Sequence, residues 1–439
     1  MKKFTVDKQN KCSYNTRGNL TPTGEGIMER VILHSDLNAC YASIECMLNP
    51  ALKNKPVAVA GSVENRHGII LAKSQQAKEC GVKTGEPVWQ AKGKCHDLIV
   101  VEPHFDEYIK YSSMVRDIYR RYTDLIEPFG LDEAWLDVTG SQRLFGNGYE
   151  IAENIRETVR YELGLTVSIG VSFNKVFAKL GSDLKKPDAV TVITRDEFKE
   201  KLWKLPASEM IGVGRSTSEK LKKFGIHTIG DLANCDRDWI TKQLGKCGTE
   251  LWTFANGSDT SRVKPDGYRT PIKSIGHGIT CSADLVDATE VWRVFLSLSQ
   301  DVHRRLTGYR LKACGVQITV KDCNLFSRQF QKKLEIPTRS ASEIAKAAID
   351  LFNANYSWNY DVRAVTVRAI DLIESDAPAQ LDFFTDTSKH EKMQKIDDTV
   401  LELRRRFGKN AIFNACLMQE EKIPHGNPEE SVMPMRMFR

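Results

Sequence analysis

The chain has 439 residues, 41% hydrophobic and 27% charged, with 63 Lys and Arg against 57 Asp and Glu. This is the make-up of a globular protein of about two to four domains, and the net charge of +6 suits a nucleic-acid or phosphate partner without requiring one. No apolar run approaches the roughly 18 residues of a membrane-spanning helix. The first 27 residues lack the apolar core of a signal peptide. Eleven cysteines contain no C-x-x-C pair and no Cys/His spacing of zinc type, so they read as reduced thiols. A cytoplasmic protein is expected, with a disordered polar leader over residues 1–27 and an effective start at Met28.

Val31-Ile32-Leu33 opens a strand that ends at Asp36, before a helical pattern carrying Cys40, Tyr41, Ile44, Met47 and Leu48 on one face. A strand at 56–60 and a strand-to-helix run, GIILAKSQQAKECGV, come next. Strands and helices then alternate through Ile99–Val101, a helix around 108–122, the strand of FGLDEAWLDVTG, a helix at 151–163, a strand at 166–171 and a helix from Asn174. From Asp196 to about Arg262 the pattern is helical and basic with no strand. Pro265 to Pro271 read as a linker. Beyond it, Ala313–Lys321 and Arg363–Ile373 alternate with period two, between helices around 291–306 and 342–352. One face of the first strand carries Cys314, Val316, Ile318 and Val320, the other Gln317, Thr319 and Lys321. A polar tail with one amphipathic helix, Met393–Phe407, closes the chain. The whole is a multidomain α/β (α+β) protein.

Two adjacent carboxylates, Asp132 and Glu133, interrupt an apolar strand. Neighbours on a regular strand point to opposite faces, so both serve one site only where the strand ends or bends, as Gly130 permits. If they meet Asp36, three carboxylates crowd together and raise one another's pKa unless cations neutralise them. Hard oxygen ligands suit Mg²⁺ or Mn²⁺, and two such ions about 3.5–4 Å apart would clamp a phosphoryl displacement. The plain alternative has Asp36 capping a helix and the pair facing solvent, and Asp137 fits ordinary strand-end chemistry.

Four segments, HSDLNACYASIECMLNP, GLDEAWLDVTG, VSIGVSFNKVFAKLGSDLKKPDAV and IGVGRSTSEKLKKFGIHTIGDL, stand in this order. Together they resemble the Y-family, or translesion, DNA polymerases of the DNA polymerase IV branch, over about Arg30 to Glu374. The resemblance implies a right-hand polymerase: a palm at 28–39 and 105–193, small fingers at 40–104, and a helix-hairpin-helix thumb at 194–262. A linker at 263–271, a little finger at 272–375 and a clamp-binding tail at 376–439 complete it. The implied activity is template-directed DNA synthesis past damaged bases, in DNA repair and damage tolerance.

The same resemblance assigns residues. Asp36, Asp132 and Glu133, with the carbonyl of Leu37, would hold two Mg²⁺ ions, with Mn²⁺ a possible substitute. Tyr41 would be the steric gate against a ribose 2′-hydroxyl; Asn38 to Tyr41 would offer backbone N–H groups to phosphates, and Lys186 would reach the triphosphate. In the fingers, Gln75 and Lys78 stand where many members carry Tyr and Arg, Ala72 replaces a hydroxyl residue, and Cys40 an aromatic. Ile69 and Leu71 would roof the nascent base pair. Expected DNA contacts are Lys175, Gly212, Gly214, Lys273, Lys321, Arg328 and Lys332, with a solvated sheet face the competing reading for Lys273, Arg328 and Lys332, while Lys179 and Lys185 read as solvated or backbone-tracking charges. Gln380, Leu381, Phe383 and Phe384 resemble the bacterial sliding-clamp peptide. The partners implied are primer-template DNA, a dNTP and that clamp, with no membrane and a monomeric chain. Two other classes compete: a nucleotidyl cyclase, which shares a metal-binding palm but needs no hairpin or clamp peptide, and a non-catalytic scaffold, suggested by the Gln75, Lys78 and Ala72 departures.

Overall fold

The computed structural model describes residues 29–63, 66, 68–377, 387–408, 411–412, 414–418 and 422–423. They divide into two compact units, 29–53 with 104–268, and 54–103 with 269–423. In chain order the strands are β1 (Ile32–Leu37), β2 (Val57–Ala60), β3 (Ile70–Lys73), β4 (Ile99–Val101), β5 (Ile126–Phe129), β6 (Glu133–Asp137), β7 (Val167–Ser172), β8 (Val190–Ile193), β9 (Ser274–Leu285), β10 (Leu311–Asp322), β11 (Ser327–Thr338) and β12 (Val362–Glu374).

In the first unit a five-stranded sheet runs β5-β6-β1-β7-β8. β1 is central and buried along its whole length, although its sequence, ILHSDL, is half polar. His34, Ser35 and Asp36 are therefore held inside and must find partners there. Helices Phe105–Tyr119, Gly148–Leu163 and Lys175–Leu184 cover the sheet. The second starts at a capping box between Asn147 and Glu150 and stops at Gly164, in left-handed backbone at φ 66°. The third lies so close to β7 that a Cβ on Gly170 would sit 1.9 Å from the Ala178 carbonyl oxygen. Only glycine permits that approach.

The basic stretch after β8 forms the helices Arg215–Lys223, Ile229–Asn234, Arg237–Leu244 and Lys246–Ala255 around Met210, Val213, Leu221, Ile240 and Leu251. The expected linker is tied down over its first half. Lys264 N donates to Glu127 at 3.0 Å, Asp266 N to the Asp124 carbonyl at 2.9 Å, and Arg120 Nε to Asp266 at 2.7 Å.

The second unit holds a small sheet, β3-β2-β4, and a four-stranded antiparallel sheet, β11-β10-β12-β9. Helices Ala288–Tyr309 and Ala341–Asn355 pack on one face of the larger sheet around Phe295, Phe352, Val316, Ile318 and Val367. Each fully buried side chain of this size contributes about 1.5–3 kcal/mol. Sequence periodicity revealed β10 and β12 but neither outer strand. β9 contains Gly276 and Gly278, and β11 alternates with charged residues on its exposed edge, so neither presents a full apolar row. The tail helix begins at Thr387 instead of Met393. It is docked: Asp397 accepts from the Ser340 hydroxyl, and Arg339 donates to Asp398 at 2.7 Å.

Candidate active site

Antiparallel register sets Asp36 of β1 directly opposite Glu133 of β6. Such partners have Cα atoms about 4.5–5.5 Å apart and side chains on one face. Asp132 lies just outside β6, in the turn that Gly130 opens at φ 90°. Its carbonyl accepts from Leu37 N at 2.9 Å, which joins the turn to the end of β1. The bend therefore gathers both neighbours beside Asp36, and each of the three carboxylates feels the charge of another.

The three are electrostatically unequal. Burial raises the Asp36 carboxyl to about 7 against the pull of Lys186, whose Nζ lies 2.7 Å from Oδ2, and Glu133 and Asp132 push it the same way. Asp132 is raised by burial and by Glu133. Burial alone would raise Glu133 too, yet a hydrogen bond with His34 and the ammonium of Lys179 hold it at about 2. His34 Nε2 lies 3.1 Å from Glu133 Oε2, its Nδ1 lies 2.8 Å from the Ser182 hydroxyl, and burial keeps the ring below the usual imidazole range.

Lys179 is thus a correction to the expectation of a solvated charge: its ammonium pairs with Glu133. The glycine-mediated approach of its helix to β7 brings it there. Lys175 is an expected DNA contact. Its ammonium sits 2.8 Å from Glu127 and 4.4 Å from the Trp135 ring centroid, so its charge is committed locally. Sequence reasoning missed His34 and Glu127, since neither carries a spacing signal.

Among the described residues, no group of three His, Cys, Asp or Glu is closed into a coordination shell. Lysines occupy two of the three carboxylates instead. The donor set nonetheless fits a hard divalent cation: oxygen ligands only, Asp36 buried and Asp132 and Glu133 half-buried, with Asp36 and Asp132 both raised in part by the neighbouring carboxylates. Cys40 responds to the same surplus. Burial raises its thiol above the ordinary range, and the charges of Asp132 and Asp36 raise it further.

The helix Cys40–Leu48 follows β1 through Ala39, a non-glycine residue at φ 48°, and no side chain caps it. Left-handed backbone at such a residue costs about 1–3 kcal/mol. The uncapped first turn leaves the N–H groups of Cys40 and Tyr41 without intrahelical acceptors. Asn38, expected among the nucleotide ligands, ties three segments together: its N–H donates to the Thr166 carbonyl, its amide donates to Ser168, and its Oδ1 accepts from Asp188 N, each at 2.9 Å. The Tyr41 ring stacks on Tyr108 with centroids 4.4 Å apart and planes at 7°, and meets Phe105 edge-on at 6.1 Å.

Gly212 turns at φ 90°, while a Cβ on Gly214 would meet open space at the uncapped start of Arg215–Lys223. In the second unit, Ala72 sits in β3 and Gln75 and Lys78 are exposed, with the Gln75 amide turned to Glu79 at 3.1 Å. Lys73, absent from the expected set, donates to Thr84 at 3.0 Å; burial and the nearby charge of Lys78 lower its pKa. Ile69 is exposed.

Register also re-sorts the expected DNA contacts on the large sheet. Arg328 pairs with Val320 and Lys332 with Val316, so both belong to the helix-covered face. Lys332 lies 3.8 Å from Asp350 of that layer. Lys321 projects from the other face with Lys333, opposite Gly315, and Arg368, opposite Gln317. Lys273 precedes β9 at its edge. Gln380, Leu381, Phe383 and Phe384 lie outside the described residues.

Three family models match the chain: impB/mucB/samB family at residues 35–183, the impB/mucB/samB family C-terminal domain at 272–383, and the DNA polymerase-iota thumb domain at 208–259. The chain is 50% identical over 396 residues to DNA polymerase IV of Acetivibrio thermocellus, covering 90% of this chain and 99% of that one. It is 38% identical to DNA polymerase IV of Bacillus velezensis, over 90% of this chain and 94% of the relative. The fold matches a solved Y-family DNA polymerase chimera, Dbh-Dpo4(243-245)-Dbh, with TM-score 0.70 and 24% identity, over 78% of this chain and 99% of that one. Fold and sequence together define a DNA-directed DNA polymerase. The chain belongs to the Y family of these enzymes, in the DNA polymerase IV branch.

Proposed function

We propose that this polymerase extends a primer past damaged template bases by two-metal catalysis at Asp36, Asp132 and Glu133. The observation that carries the reading is the register placing Asp36 opposite Glu133, with Asp132 at the adjoining turn. Two Mg²⁺ ions, or Mn²⁺ in their place, would polarise the triphosphate and lower the pKa of the primer 3′-hydroxyl.

The chain's own groups do the rest. Asp36, Asp132 and the Leu37 carbonyl would hold the ions. Glu133 stays ionised because His34 and Lys179 hold its charge, so an anionic oxygen faces the primer end. Lys186, resting on Asp36, swings to the incoming triphosphate, where its ammonium balances phosphate charge. Amides of Cys40 and Tyr41 supply donors at the helix start, and the Tyr41 ring excludes a ribose 2′-hydroxyl.

Primer-template DNA and a dNTP are the substrates in this reading. Gly212 and Gly214 of the thumb meet the duplex backbone, Lys321, Lys333 and Arg368 track phosphates, and Lys78 with Lys73 adds charge in the fingers. Gln380, Leu381, Phe383 and Phe384 dock the bacterial sliding clamp on a monomeric, cytoplasmic enzyme. Primer extension with four dNTPs and Mg²⁺, on undamaged and abasic templates, tests the whole. Extension past the abasic site that vanishes in Asp132→Ala and Glu133→Ala supports it; extension confined to undamaged template removes the translesion role.

A further inference from the structure

Glu45 is a buried carboxylate, 5% exposed, with no part in the two-metal reading. It lies one helical turn after Tyr41, so the helix Cys40–Leu48 presents both on one side. Tyr108 lies across the pair. Its ring stacks on Tyr41, and its phenol donates to Glu45 Oε1. His104, the residue that precedes the facing helix Phe105–Tyr119, places Nδ1 2.9 Å and 3.1 Å from the two Glu45 oxygens.

Two pairs of residues four apart therefore interlock, Tyr41 and Glu45 on one helix and His104 and Tyr108 at the start of the other. Stacking alone leaves a ring free to slide in its plane; a hydrogen bond at the phenol tip removes that freedom. Burial keeps the Tyr108 phenol protonated far above neutral pH, so it remains a donor. A carboxylate buried this deeply needs such donors to offset its desolvation.

We propose that Glu45 is a positioning residue for sugar selection: by gripping Tyr108 it fixes the platform on which the Tyr41 ring stands against a 2′-hydroxyl. The inference rests on the reading of Tyr41 as the gate and extends it to residues outside the nucleotide pocket.

The test is single-nucleotide primer extension by the full chain, comparing kcat/KM for dCTP and CTP. Tyr41→Ala is the control and should collapse the ratio. Tyr108→Phe keeps the ring and deletes the grip; it should lower the ratio about three- to tenfold, chiefly through faster CTP incorporation. Glu45→Ala should act alike, with Glu45→Gln, whose amide oxygen still accepts from the phenol, restoring the ratio. In a Tyr41→Ala background, Tyr108→Phe should change the ratio no further, as a group acting only through Tyr41 must. A wild-type ratio in Tyr108→Phe beside a collapsed one in Tyr41→Ala overturns the inference and leaves the gate intact. An unchanged ratio in Tyr41→Ala removes the gate reading and this inference with it. If Glu45→Ala fails to fold, Tyr108→Phe decides alone.

Discussion

The five-stranded sheet of the first unit and the four-stranded sheet of the second share a plan, yet they handle charge in opposite ways. The first concentrates acidic groups at one end of a buried strand, where Asp36 faces Glu133 and each needs a named partner. The second disperses Lys321, Lys333 and Arg368 over the face away from its helices. Chemistry requires charge desolvated and placed by register; backbone tracking of a polyanion needs only that cations share a face. Sensitivity to mutation should divide accordingly.

The largest effect belongs to the concentrated site. Asp36→Ala or Asp132→Ala should lower primer extension by about 10³-fold or more, as should chelation of divalent cation. Retained activity would erase the distinction between the two sheets. Lys179→Ala strips Glu133 of its ammonium and leaves a part-buried charge under-compensated. It should destabilise the chain by about 2 kcal/mol, read by urea unfolding.

Proton linkage sharpens the contrast within the acidic cluster. Asp36 moves from an ordinary 3.8 to about 7 on folding, so the folded state binds that proton more tightly. Metal-free stability should therefore fall as pH rises from about 4 to 7. Glu133 moves from 4.5 to about 2, so its contribution is present above 4.5 and lost as pH falls towards 2. Thermal melts without divalent cation should show both limbs. Asp36→Asn should abolish the upper one, and Mg²⁺ should raise the wild-type Tm at pH 7.5; a flat profile above pH 4 refutes the assignment for Asp36.

The dispersed face predicts the smallest effects. Lys321→Ala, Lys333→Ala and Arg368→Ala should each weaken DNA binding modestly and reduce the slope of log affinity against log salt by about 0.9. Arg328→Ala and Lys332→Ala, on the helix-covered face, should leave that slope as it is. Equal slopes for all five would mean that strand register does not sort these cations.

Much of this molecule was legible in its amino acids. Period-two and helical patterns located most elements of the first unit, four ordered motifs pointed to the family, and Gly130 beside Asp132 announced a bend where adjacent carboxylates share a site. What the sequence left open were the partners that side chains find far along the chain. Asn38 stands among the expected phosphate donors, and nothing in its spacing points to Thr166, Ser168 and Asp188, where its three groups bond. Lys179 looked solvated, 46 positions from the Glu133 it neutralises. Arg328 and Lys332 looked like equals of Lys321, because an outer strand without an apolar row gives no sign of its face.

The sequence by itself determined the family and put two acidic residues side by side next to a glycine bend, since these follow from local pattern and residue type. Tertiary structure alone decided which charges are neutralised, which cations share a face, and that Tyr108 and Glu45 stand behind Tyr41. Hydrogen bonding and Coulomb interactions act over a few ångströms of space, and only the folded backbone converts separation along the chain into that distance.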